Sequence, residues 1–378
     1  MSPVAVADLV VEEAGRVEEV PRTEWDAVAA GAAVYSSHAW LRFVETFGDC
    51  EHRYLLVRRD GELVAALPVY RFEGAIPRYY DPQYYGAPAG SPVVLGGTRH
   101  GYSSEYLIRP GLSEDVRAAA VAALLERLRA EDAAATAVLY LTDDALAMTP
   151  SSPDDRVFLL DAHARLPVEP SGLAGYRAAV SENTAARMRK EMRKFADAGC
   201  RAEVLRLSEC HEHLGELSAR VLRRYGHEIT AEAEAGRFAE QVATMDDICH
   251  VVLARQGGRV VGFTQFFGWG STLFGRVHGL DDDMARSAAL YYNLTYYHAI
   301  EFAAANGFTA IDLGCDSYEA KVRRGARLHP LWGLATAPGW DADTTREIAD
   351  RARARAEEFA AWDPRMNTAV PHPHLETR

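Results

Sequence analysis

The sequence predicts an α/β chain made of two tandem copies of one unit, each a mixed, mostly antiparallel sheet flanked by helices. Three observations lead there. The 378 residues suffice for two domains of about 100–200 residues each, both long enough to bury a core. The order helix, helix, hairpin, helix, strand occurs twice, as an internal duplication would leave it. Each hairpin carries its own turn pair, Asp60-Gly61 in the first half and Gly257-Gly258 in the second.

In the first half, residues 23–30 and 37–47 read as helices with Thr23 and Ser37 near their starts. Residues 52–59 and 62–72 form the β-rich arms of the hairpin. An aromatic loop rich in Gly and Pro follows at 77–92, with Tyr79, Tyr80, Tyr84 and Tyr85. A helix at 113–130 and a strand at 137–141 close the unit. Residues 150–170, rich in Pro, Ser and Asp around one strand at 157–160, read as the crossing between domains.

In the second half, helices at 176–198 and 214–225 precede strands at 250–256, 259–269 and 272–280, an antiparallel meander. A long helix at 287–305 ends at Asn306-Gly307, a good C-cap, and feeds a strand at 308–314. A short helix then carries Lys321, Arg323 and Arg324; Gly325 stops it before a last strand around Leu331. The expected organisation is a first domain at 1–165, a second at 166–340 opened by a basic helix at 183–197, and a tail at 341–378. That tail reads as one polar helix and a disordered end holding His372 and His374.

Composition excludes several classes. With 48% hydrophobic and 25% charged residues, low-complexity disorder is ruled out. The first twenty residues lack a basic segment followed by an apolar stretch and cleavage site, and no run approaches the roughly 18 apolar residues of a membrane span, so a cytoplasmic protein is expected. A net charge of −13 argues against a protein that coats nucleic acid, though not against one local basic patch. The five cysteines are odd in number and widely spaced with no C-x-x-C pair, which predicts reduced thiols and neither a disulfide framework nor a metal site.

Basic residues number 41, yet only three are lysines: Lys190, Lys194 and Lys321. Two of them lie in the helix R-M-R-K-E-M-R-K, where Arg187, Arg189, Lys190, Arg193 and Lys194 cover one face and Met188, Met192 and Phe195 the other. A solvated helix face is the plain reading of such a run. Its contrast with the acidic chain sets phosphate binding beside that reading as an equal alternative.

The second half resembles the Fem-like (FemABX-type) transferases, aminoacyl-tRNA-dependent enzymes of peptidoglycan bridges and related N-acyltransferases, which are built from two acetyltransferase-type (GNAT-like) domains. The resemblance rests on the basic helix, G-R-V-V-G-F (258–263), H-G-L-D (278–281), the aromatic helix L-Y-Y-N-L-T-Y-Y-H-A-I-E-F-A (290–303) and D-x-G-x-x-x-x-x-x-K-x-x-x-G-A (312–326), in that order. It is weaker before residue 187. It implies tandem GNAT-like domains and acyl transfer without a resident cofactor. The lysine after the last core strand, which helps stabilise the oxyanion-bearing or donor-bound intermediate in such enzymes, corresponds to Lys321. The first-domain basic residues that hold a nucleotide-sugar acceptor in bridge-forming members have no counterpart, so a small-molecule amine stands beside a cell-wall precursor as acceptor.

Acyl transfer needs a nucleophile, a base and a donor to the tetrahedral oxyanion. Lys321 is the expected oxyanion donor. His278, two residues after Arg276 on one strand face, is a candidate base. Asp316 ranks ahead of Tyr318 and Glu319 as the alternative. Tyr80, Tyr84, Tyr85, Arg276 and Tyr292 are the expected acceptor contacts, with the acceptor between the domains. For the donor, the stretch where CoA-dependent relatives place a basic, Gly-rich pyrophosphate loop reads GLDDDMARSAAL, with three consecutive aspartates. This favours aminoacyl-tRNA over a CoA or carrier-protein thioester, its phosphates meeting the basic helix together with Arg323 and Arg324. A binding protein that kept the fold without catalysis is the reading from another class.

Overall fold

The computed structural model describes residues 9–73, 76–88, 90–150, 152–337 and 340–369; His372 and His374 lie outside them. The chain divides into two compact units, Met1–His163 with Leu328–Arg378, and Ala164–Arg327.

The first unit opens with β1 (Leu9–Ala14), α1 (Arg22–Ala29) and α2 (His38–Glu45). Ser37 caps α2 by accepting from Trp40 N at 3.2 Å. The hairpin β2 (Glu51–Arg59) and β3 (Glu62–Phe72) follows, turned by Asp60 and Gly61, both at positive φ. Then come β4 (Val93–Gly96), β5 (Leu107–Ile108), α3 (Glu114–Arg129), β6 (Ala135–Leu141) and α4 (Asp143–Ala147). Strands β1 to β4 pair antiparallel in sequence, β6 joins β4 in parallel, and β5 pairs with β3. Trp25, Trp40, Tyr54 and Phe72 form fully buried parts of this core. The stretch expected to hold four strand residues is one long strand, β7 (Asp155–Pro167), and the unit boundary at His163 falls within it.

In the second unit the single helix expected at 176–198 is two. α5 (Leu173–Ala179) ends before Ser181, whose hydroxyl accepts from Thr184 N and starts α6 (Glu182–Asp197). The break has a simple cause: a serine side chain competes for the backbone donors that a continuous helix would use. Next are β8 (Cys200–Arg206), α7 (Gly215–Arg224), α8 (Ala231–Met245), β9 (Cys249–Gln256), β10 (Arg259–Trp269), β11 (Thr272–Leu280) and α9 (Asp282–Ala285). The meander β9-β10-β11 is antiparallel as expected, and β8 extends it beyond β9.

The aromatic helix starts at Leu290, not Ser287. It runs as α10 (Leu290–Tyr292), a π-helical segment (Asn293–Tyr297) and α11 (His298–Ala305). β12 (Ala310–Asp312) pairs with β11 in parallel and with the end of β7 antiparallel, and α12 (Tyr318–Val322) follows. The last strand, β13 (Arg327–Thr336), pairs antiparallel with β6 and so belongs, with the tail helix α13 (Ala342–Trp362), to the first unit. All five cysteines are free thiols. Among the described residues no helix is long and apolar enough to cross a membrane.

Candidate active site

The site grows from two parallel strands of the second unit that pair only briefly. β11 and β12 are in register at Thr272/Ala310, Leu273/Ile311 and Phe274/Asp312. Beyond Phe274, β11 continues through Arg276 and His278, while the chain leaves β12 at Asp312 and turns away. Gly314, Asp316 and Ser317 all take positive φ (68°, 65° and 51°). Glycine adopts this conformation freely, whereas each of the other two costs about 1–3 kcal/mol, strain of a kind that concentrates at functional sites. Buried Asp312 secures the start of the turn by accepting from Gly314 N at 2.8 Å.

Lys321 closes that turn from inside. It is 5% exposed, and its ammonium donates to Gly314 O at 3.1 Å and Cys315 O at 2.6 Å. A buried cation therefore sits directly beneath the strained loop and donates to two of its carbonyl oxygens. Asp316 is exposed on the loop's outer side.

Three residues further on, Arg324 is 3% exposed and pairs with Glu191 of α6 at 2.8 Å. Glu191 also accepts from the Tyr297 hydroxyl, and Asn293 Nδ2 donates to its backbone carbonyl at 3.1 Å. The Arg324 guanidinium lies 3.4 Å from the Tyr292 ring centroid, a cation–π contact at full van der Waals closeness. Tyr176 of α5 donates to Arg324 O, and Thr184 of α6 to Arg323 O. The π-helical segment supplies Asn293, Tyr296 and Tyr297 to this network. One-turn π segments re-aim side chains in this way and recur at functional sites.

Of the residues expected from sequence, the fold brings together Lys321, His278 and Tyr292. His278 stacks edge-on against Tyr291 at 5.0 Å. Burial, then the positive charges of Arg224 and Lys321, push its pKa down to about 4, so the imidazole is neutral and weakly basic at pH 7. Its native pKa lies below the unfolded value, so the stability tied to its neutral form is complete above about pH 6.5 and is lost as pH falls towards 4. His278→Gln should accordingly flatten part of the decline in Tm between pH 6.5 and 4, with His250, also pushed down to about 4, supplying a further part. An unchanged Tm-versus-pH curve would show that His278 is not buried in neutral form.

The other expected residues are placed differently. Arg187, Arg189, Lys190, Arg193 and Lys194 are all exposed along α6; Arg189 pairs with Glu182, and the other four have no carboxylate partner among the described residues. Arg323 is exposed and paired with Glu319. Arg324, grouped from sequence with the donor-binding cations, is instead committed to Glu191 inside the protein. Arg276 is half-buried. In the first unit, Tyr80 and Tyr85 are buried, with Tyr85 donating to Tyr80 O and the Tyr80 hydroxyl accepting from His100 N; Tyr84 is half-buried.

Glu191 escaped attention in the sequence as a mere interruption of a basic run. Its signal was positional: three residues after Met188 and four before Phe195, it falls on the buried face of α6. Also in the first unit, Asp49, Cys50 and His52 bring potential metal-ligating atoms within 4.8 Å of one another. The buried Arg99 guanidinium occupies that position, paired with Asp49 and 3.1 Å from His52 Nε2, so a metal cation there would meet an existing positive charge.

No curated protein matches this chain in sequence. Among solved structures, FemX superposes with a TM-score of 0.61 at 12% identity, covering 86% of this chain and 97% of FemX. The C-terminal domain of an Agrobacterium fabrum protein assigned as a lysylphosphatidylglycerol synthetase gives 0.53 at 12% identity, over 88% of this chain and 94% of that one. L-PGS from Bacillus licheniformis gives 0.51 at 12% identity, over 88% and 96%. At such identity these likenesses establish the fold alone, the one FemX also adopts. The FemAB-like family profile, described as peptidoglycan biosynthesis/recognition, matches residues 107–366, about two thirds of the sequence and the whole of the site just described; the chain belongs to the FemAB-like family.

Proposed function

We propose that this protein is an aminoacyltransferase that moves an aminoacyl group from aminoacyl-tRNA to the amine of a small-molecule or cell-wall-precursor acceptor, forming an amide. The observation that carries the proposal is the two-faced helix α6. Its outer face offers four cations without a carboxylate partner among the described residues, on a chain of net charge −13, while its inner face, through Glu191, holds Arg324 and with it the segment bearing Lys321. Phosphates gathered on the ridge would thus be registered against the reacting end.

In the reaction the acceptor nitrogen attacks the ester carbonyl. The C–N bond forms, the bond to the ribose oxygen breaks, and the released RNA hydroxyl takes up a proton. The Lys321 ammonium stabilises the tetrahedral oxyanion, and Asp316 or neutral His278 relays the proton. Tyr80, Tyr84, Tyr85, Arg276 and Tyr292 are the proposed acceptor contacts, and exposed Arg323 adds to the donor side.

A thioester donor fits less well. Asp281 already caps α9, accepting from Met284 N at 3.3 Å and from Arg259 at 2.6 Å, so a pyrophosphate approaching that terminus would meet a carboxylate.

The test is transfer from a charged tRNA pool. Product formation should be abolished by ribonuclease, and replacing Arg189, Lys190, Arg193 and Lys194 together by Ala should lower the slope of log affinity against log salt for bulk tRNA by roughly 3. Transfer from acyl-CoA that survives ribonuclease would replace the RNA donor with a thioester. No transfer from either would leave the binding-protein reading.

A further inference from the structure

α6 hands the chain to β8 through Ala198 and Gly199, and Gln256 at the end of β9 fastens this corner by donating to Ala198 O at 2.8 Å. A cavity of about 550 Å³ opens here, lined by Arg201, Glu203 and Arg255 around three glycines, Gly199, Gly257 and Gly258. Arg201 and Arg255 are directly opposite each other in the β8–β9 ladder. Like charges at directly opposed positions destabilise a sheet unless an anion lies between or above them. Glu203 answers only one of the two: it accepts from Arg255 Nε at 2.6 Å, and Arg201 has no carboxylate partner among the described residues.

The rest of the lining is Ala202 and the three glycines. Gly199, Gly257 and Gly258 take φ of 69°, 56° and 85°, and a Cβ built on any of them would touch nothing within 4 Å, so the space above them is open. The turn geometry calls for glycine at these three positions; Arg255 Nη1 donates to Gly258 O at 3.3 Å, and the lack of side chains leaves room for a group to approach the Arg201 fork and the remaining Nη2 of Arg255. Guanidinium matches the oxygens of a phosphate in a bidentate way that a point charge does not. The same corner follows the basic ridge along the chain, since Lys194 lies in the last turn of α6.

We infer that this cavity is a phosphate-binding site. On the RNA-donor reading above, on which this part rests, it takes a phosphodiester of the donor and gives the nucleic acid a second point of attachment beyond the α6 ridge. Arg201 and Arg255 bind the phosphate oxygens; Glu203 orients Arg255 and keeps the site from holding two uncompensated cations when empty.

Two measurements on the full chain test this. Calorimetric titration with inorganic pyrophosphate should show binding to the parent that Arg201→Ala loses. The salt dependence of bulk tRNA binding should fall in slope by about 1 in the same variant. Arg201→Ala removes a like-charge contact, so its Tm should equal or exceed that of the parent, and loss of binding cannot then be ascribed to unfolding. Pyrophosphate binding to the parent and not the variant, with no tRNA binding by either, would uphold the phosphate site and overturn the RNA-donor reading. Normal tRNA binding with an unchanged slope in Arg201→Ala, or pyrophosphate binding equally to both proteins, would overturn the site and leave the donor reading intact.

Discussion

Lys321→Ala should lower kcat for transfer by about 10²–10³, the usual cost of removing one oxyanion donor, with a smaller change in KM. Its ammonium is 5% exposed, where a positive charge acts through much less water than it would on a surface. The substitution also removes the ammonium from Gly314 O, which keeps Ala164 N at 3.0 Å, and from Cys315 O, and an acceptor left unsatisfied there costs about 1–3 kcal/mol. Folding and chemistry must therefore be separated. Thermal unfolding measured beside steady-state kinetics does so, provided rates are compared well below the lower Tm. Lys321→Arg is the informative companion: it retains the charge, but its planar fork cannot reproduce the compact two-carbonyl contact, so it should recover only part of the loss. A folded Lys321→Ala variant with less than a tenfold fall in kcat would remove Lys321 from the reaction.

Arg324→Met should destabilise the protein by about 3–5 kcal/mol, the cost of breaking a buried ion pair and leaving the other charge uncompensated. The side chains of Arg324 and Glu191 are 4% and 12% exposed, and Glu191, still accepting from the Tyr297 hydroxyl, would keep its charge without the guanidinium that offsets it. The double variant Glu191→Met with Arg324→Met should recover most of that loss, because removing both charges also removes their desolvation penalty. Urea unfolding of the four proteins in the cycle measures the coupling. If the two single losses simply add in the double variant, the pair carries no coupling and the link between ridge and site is not energetic.

These two expectations concern residues of unequal visibility. Lys321 stands out as one of three lysines and by its place after the last core strand. Glu191 was hidden in a basic run, and Arg324 looked like one more exposed cation. The hairpins and the meander were legible almost to the residue, since Asp60-Gly61 and Gly257-Gly258 fix turn and register within a few neighbouring positions. β8 was not: its residues are largely exposed, so the alternation of apolar and polar side chains that marks a half-buried strand is absent. β1, β4, β5 and α8 were likewise not read. The aromatic helix was recognised as helix, but its π-helical register could not be, because one extra residue in a turn changes no local propensity.

By itself, the sequence determined the repeated α/β plan, the basic ridge and the identity of the lysine beneath the strained turn, because periodicity, caps and turn chemistry are written in adjacent residues. Tertiary structure alone decided that β13 pairs with β6, that Arg324 turns inward to a glutamate 133 positions away, and that His278 is held neutral. Each of those depends on which distant groups share a low-dielectric interior. Burial and pairing there are set by the packing of the whole unit, which no local pattern encodes.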